Sequence, residues 1–125
     1  MIKQIKSSEI KNFLTGNKNV ELLDVRTQDE WDNIGKPDGE ELGLKTHFVT
    51  IIRSTDPAAN KKFVEEVKEI IDSNKELLVI CKAGSRSMLA SQLLSDENIS
   101  CINISDGFEG NSENIGWKNE GLPSR

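Results

Sequence analysis

Three short apolar runs, VELLDV at 20–25, LLVIC at 77–81 and ISCINI at 99–104, punctuate this chain. Runs of this length, flanked by polar and turn-forming residues, suit strands buried on both faces. The stretches between them carry apolar residues at helical spacing. Alternating strand and helix imply an α/β class with a largely parallel sheet. In such sheets, ligands sit outside the carboxyl ends of the strands.

The remaining elements follow from caps and breakers. Residues 2–6 can form a short strand. Ser7 or Ser8 can cap a helix whose apolar face is Ile10, Phe13 and Leu14, with Gly16 at its end. Thr27 starts a short helix, and Thr27 and Glu30 have the spacing of a capping box. Residues 35–46 hold three glycines and a proline and read as a loop. His47 to Ile52 is a further strand candidate. Thr55-Asp56-Pro57 is a helix start, with a capping side chain before a proline at the first turn. Phe63, Val67, Ile70 and Ile71 then make a helical stripe through about Asp72. Ser85 to Ser95 reads as a helix that turns Leu89, Ala90, Leu93 and Leu94 inward, and a Gly-rich tail follows the last strand.

At 125 residues the chain fits one domain, 1–125. A chain of that size buries roughly two-thirds of its unfolded surface and needs no staples. The net charge of −5 argues against nucleic acid as a partner, because phosphate backbones recruit basic faces. No apolar run approaches the ~20 residues of a membrane span, and MIKQIKSSEIKNF lacks the apolar core of a signal peptide. A cytoplasmic location is expected, where Cys81 and Cys101 stay thiols.

The central run LLVI leads directly into CKAGSRS, residues 81–87. A loop between a strand and a helix N-terminus presents free backbone N–H groups, which favour an anion together with the helix dipole. Gly84 lets the chain curl so that these groups converge. Arg86 adds a fixed charge with a planar donor fork, and Lys82 adds an exposed, flexible one. The predicted object is a Cys81 thiolate at the base of an anion-binding cup, and the thiolate is the nucleophilic form. The plainer reading makes Cys81 a small buried hydrophobe ending a strand and Arg86 a solvated helix residue. Cys101, embedded among isoleucines with neither glycine nor arginine beside it, reads as structural. His47, the only histidine, reads as a surface or packing residue. One histidine and two distant cysteines do not suggest a metal site.

The residues now described resemble the rhodanese (sulfurtransferase) family in three blocks. LLDVRTQDEW at 22–31 is similar to the family's L-[IL]-D-V-R…E-[FWY] segment. VICKAGSRS at 79–87 is similar to its strand, cysteine loop and helix. DGFEG at 106–110 with GWKNEGLP at 116–123 is similar to its closing block. The resemblance implies a rhodanese-like fold, with a central, mostly parallel five-stranded sheet and helices on both faces. It puts the family's catalytic cysteine at Cys81 and its anion loop at Lys82, Ala83, Gly84, Ser85 and Arg86. Asp24 and Arg26 match the family's D-x-R. They are read as scaffold, with the Asp24 carboxylate capping a loop and Arg26 paired to Glu30. The chain departs from the family at NIGKPDGEELGLKTHFVTI, which lacks the common G-H-I-x-G-A-x-N-I-P, and at Gly107-Phe108, where Gly-Gly is common. These segments are expected to border the pocket.

The activity implied is sulfur transfer from thiosulfate or a related small anionic donor to a thiol, cyanide or an acceptor protein, through a persulfide on Cys81. It needs no metal, nucleotide or other cofactor, and neither a nucleic acid nor a membrane as partner. Two alternatives share the motif. One is a cysteine-dependent phosphatase or arsenate reductase, which also uses a Cys…Arg loop at a helix N-terminus. The other is a non-catalytic rhodanese-like domain that carries sulfur or only docks. The resemblance implies that phosphatase loops place five residues between Cys and Arg, whereas this chain has four, Lys82 to Ser85.

Overall fold

Leu22, Leu23, Leu77, Leu78, Val79 and Ile80 have no exposed surface, and they make the two middle strands of the sheet. The computed structural model describes residues 1–72 and 74–125. Among them are five strands: β1 (Lys3–Ile5), β2 (Val20–Asp24), β3 (Thr46–Phe48), β4 (Glu76–Ile80) and β5 (Cys101–Ile104). They form one sheet in the order β1-β5-β4-β2-β3, and all its pairs are parallel. The helices are α1 (Ile10–Gly16), α2 (Gln28–Ile34), α3 (Pro57–Ile70), α4 (Ser85–Ser95) and α5 (Gly116–Asn119). The expected α/β class and helices on both faces are present.

Alternate side chains along each strand feed two separate cores. On one face Leu23, Val25, Leu77 and Val79 pack with Val67 of α3 and with Ala90 and Leu94 of α4. On the other, Leu22, Leu78, Ile80, Ile102 and Ile104 pack with Ile10 and Leu14 of α1 and Trp117 of α5. Each fully buried aliphatic side chain contributes about 1.5–3 kcal/mol relative to an exposed one.

Several local signals act as read. The Thr27 side chain accepts from Glu30 N–H, and Glu30 completes the capping box. Asp56 caps α3 by accepting from Ala58 N–H, directly before Pro57. Other elements differ. Neither Ser7 nor Ser8 caps α1. A 3-10 turn at Ser7–Glu9 precedes the helix, and the Ser7 N–H and hydroxyl both donate to Asp106 at 2.9 Å. A carboxylate brought from 99 residues away outcompetes the local cap. The strand expected over His47 to Ile52 ends at Phe48 because its neighbour β2 ends at Asp24. Val49 and Ile51 still donate to the carbonyls of Asp24 and Val25 as the chain leaves the sheet. Val64 joins Phe63 and Val67 on the buried stripe of α3. Ile70, its last residue, is 41% exposed, while Ile71, in extended backbone just past the helix, packs against the core. Within the expected 35–46 loop lies a 3-10 turn, Gly39–Leu42.

His47 is a packing residue, buried rather than on the surface. Its Nε2 lies 2.8 Å from Glu21 Oε1, and both side chains are buried. Glu21 is level with Leu77 at the start of β4, the end of the sheet opposite Cys81.

Candidate active site

β2 and β4 leave the sheet together. Asp24 is level with Ile80, and Val25 N–H donates to the Ile80 carbonyl at 3.0 Å. From here β2 continues to β3 on one side, while β4 continues to β5 on the other. This divergence makes a crevice at the carboxyl ends of the strands, the usual ligand position in such sheets.

Asp24 and Arg26 brace the crevice. Asp24 Oδ1 accepts from the Arg26 N–H at 3.0 Å, which is the loop cap expected of it. The Arg26 side chain turns back to the same carboxylate, with Nη2 2.8 Å from Oδ2, and also donates to the Gly35 carbonyl at 2.9 Å. Its guanidinium lies 4.4 Å from the centre of the Phe108 ring. Arg26 is therefore not paired with Glu30, contrary to expectation. Arg26 and Asp24 are both fully buried, whereas the Glu30 side chain is 20% exposed. A fully desolvated guanidinium needs a partner at the same depth.

Cys81 itself is 1% exposed. Its Sγ accepts from Gly84 N–H at 3.1 Å and lies 3.2 Å from the Ser87 hydroxyl. The loop's carbonyls are all engaged. Cys81 O accepts from Phe108 N–H at 2.8 Å and Lys82 O from Glu109 N–H at 3.0 Å. Ala83 O accepts from Asn111 Nδ2, and Gly84 O from Asn103 Nδ2, both at 3.2 Å. Among the described residues, the N–H groups of Lys82, Ala83, Ser85 and Arg86 have no partner. The loop thus spends its acceptors on the β5–α5 segment and keeps its donors for an anion.

Two glycines permit this close contact. Gly84 has φ 111°, and a Cβ there would overlap the Ser105 carbonyl. Gly107 has φ 63°, and a Cβ there would overlap Lys82 O and Ala83 N. The Gly107-Phe108 pair, read as a departure from the family, seats the loop from behind.

Arg86 is committed. Its Nη1 donates to Glu30 Oε1 at 2.7 Å and its Nη2 to Glu30 Oε2 at 2.9 Å. Hydrogen bonding from Arg86 is the main force holding the Glu30 carboxyl down to about 2. Glu30, and to a smaller extent Cys81 and Asp24, hold the guanidinium above its ordinary value. The Cys81 loop is thereby locked to α2. Lys82 and Ser85 are exposed. Cys101 is buried, and burial pushes its thiol up to about 12, with the Glu76 charge adding to the effect.

The structure adds residues that sequence reading missed. Ser87 lies within CKAGSRS, but nothing local says that its hydroxyl faces Sγ. Asn103 carried a usable signal as a buried polar side chain within an apolar strand. Asn111 carried none. In the 35–47 segment, expected to border the pocket, Gly35 O accepts from Arg26 beside the crevice, while Lys36 N–H donates to Arg125 O at 2.7 Å and Asp38 N–H to Pro123 O at 2.8 Å. After β3, Arg53 Nη2 donates to Ser85 Oγ.

Residues 7–114 match the rhodanese-like domain model, and the chain belongs to that family. It is 34% identical over 124 residues to an uncharacterized protein of Rickettsia prowazekii (strain Madrid E), covering 98% of this chain and 97% of that one. Among solved structures, Rv0390 from M. tuberculosis superposes with a TM-score of 0.81 at 30% identity, covering 98% of this chain and 96% of its own. The polysulfide-sulfur transferase homodimer of Wolinella succinogenes superposes with a TM-score of 0.65 at 26% identity, covering 99% of this chain and 78% of that one. Among the described residues, no helix is long and apolar enough to cross a membrane.

Proposed function

We propose that this protein is a sulfurtransferase with Cys81 as its nucleophile. The carrying observation is the setting of Sγ, which faces a backbone N–H and a hydroxyl inside a loop whose other N–H groups are unoccupied. The Cys81 thiolate attacks the outer sulfur of thiosulfate or a related donor. A new S–S bond forms to Cys81, the bond to the sulfonate sulfur breaks, and its electron pair leaves with sulfite. The persulfide then gives its terminal sulfur to a thiol or cyanide, and the Cys81 thiolate returns. Lys82, Ala83, Gly84, Ser85 and Arg86 form the ring that holds the transferring anion, an oxyanion-hole type of stabilisation. Asp24, Arg26 and Glu30 position that ring. A cytoplasmic setting, where thiols stay reduced, suits this chemistry.

The test is intact mass after thiosulfate treatment. The wild type and Cys101→Ser proteins should each gain one sulfur atom, and Cys81→Ser none. A persulfide on the Cys81→Ser protein overturns the assignment. Aryl phosphate hydrolysis that depends on Cys81, without sulfur uptake, favours the phosphatase reading instead.

A further inference from the structure

Arg86 is the cation that the loop motif advertises, yet both terminal nitrogens of its fork are bound to Glu30 and the pair is close to neutral. A dianionic donor therefore meets little net positive charge from Arg86. Arg53 is placed differently. It lies on the segment between β3 and α3, and its guanidinium reaches Ser85, the first residue of α4. Among the described residues it forms no ion pair with a carboxylate. Arg53 and Ser85 lie on a groove of about 550 Å³ whose other lining residues are Ser54, Thr55 and Leu89. That lining offers three hydroxyls and a guanidinium and contains no carboxylate. Ser85, which lines this groove, has a backbone N–H without a partner among the described residues.

We propose that Arg53 is a specificity-determining residue that holds the anionic, non-transferred part of the sulfur donor, and that this part lies in the groove beside Ser85. The proposal rests on the reading of Cys81 as sulfur acceptor and names the chemistry of its donor. When the outer sulfur of thiosulfate passes to Cys81, the sulfonate oxygens stay behind and depart as sulfite. They carry the charge that must be bound before the reaction and released after it. Arg53 now spends one N–H on a neutral hydroxyl. Exchanging that hydroxyl acceptor for an anionic sulfonate oxygen adds an ion pair to the hydrogen bond and favours the anion. A guanidinium on an exposed connection can make this exchange without disturbing the core.

The test separates binding from chemistry. Thiosulfate is titrated calorimetrically into the Cys81→Ser protein, which cannot take up sulfur, and into the same protein carrying Arg53→Gln or Arg53→Lys. Arg53→Gln should weaken binding roughly tenfold or more, the size expected for a charge-assisted hydrogen bond, and Arg53→Lys should recover part of the loss. With Cys81 intact, Arg53→Gln should raise KM for thiosulfate by a similar factor and change kcat by less than about twofold, as for a group that binds ground state and transition state alike. Equal affinity with and without Arg53 overturns the inference, as does the absence of measurable binding to the Cys81→Ser protein. Arg53-dependent binding in a protein whose Cys81 takes up no sulfur supports the anion site and overturns the transfer reading alone.

Discussion

Cys81 and Cys101 lie at opposite ends of neighbouring parallel strands, and both are buried, at 1% and 6% exposure. Their surroundings are opposite. Cys101 is level with Leu77 at the start of β4, and its thiol donates to the Ile99 carbonyl at 3.5 Å. Cys81 lies just past the end of β4, where its sulfur accepts from Gly84 N–H. Burial and the Glu76 charge hold Cys101 as the thiol, whereas Cys81 sits in a loop whose other backbone N–H groups are unoccupied among the described residues. Burial alone therefore does not separate an inert cysteine from a candidate nucleophile in this sheet. Strand polarity does, because the carboxyl end of a strand leads into a helix N-terminus with its free N–H groups.

The strongest way to break this contrast is to spoil the donor side. Gly84→Ala places a Cβ against the Ser105 carbonyl at φ 111°. The loop must then open, and sulfur transfer should fall by about a hundredfold or more, the scale of losing a preorganised oxyanion donor. Thermal unfolding measured beside activity should show a lower Tm as well. Unchanged transfer in Gly84→Ala contradicts the role given to the curled loop.

The lock between the loop and α2 gives a smaller effect with a defined pH window. Glu30 is depressed from 4.5 to about 2 in the fold. A depressed carboxyl stabilises the fold fully above its unfolded value and loses that contribution as pH falls through its folded value. Urea denaturation should therefore show wild-type stability falling between about pH 4.5 and pH 2 more steeply than that of Glu30→Gln. At pH 7 the variant should be less stable by about 1 kcal/mol, as befits a partly exposed pair. Parallel pH profiles for the two proteins would show that Glu30 and Arg86 do not hold the loop.

The acceptor side should respond least. With its thiol held near 12, Cys101 should resist iodoacetamide at pH 8.5 in the native protein and react once urea unfolds the chain. Cys101→Val should cost less than about 1.5 kcal/mol and leave sulfur transfer intact, as a swap of similar volume in a core. Native-state alkylation of Cys101 at a rate matching Cys81 would erase the contrast.

What the sequence determined by itself lay within a few residues along the chain. The runs at 20–25 and 77–81 became strands because their side chains are apolar enough to be buried on both faces. Thr27 and Asp56 placed helix starts, and the strand–Cys81–Gly84–helix order placed a donor-rich loop at a strand end. Only the tertiary structure decided which charges meet. Arg26 was taken by Asp24 rather than Glu30, and Glu30 was left to Arg86, 56 residues away. Asn103, Asn111 and Arg53 reached the loop from 19, 28 and 32 residues' distance to the groups they touch. Propensity, caps and periodicity are short-range and act within one element. Side-chain pairing depends on register and depth in the assembled sheet, where a desolvated charge takes the partner that is buried with it.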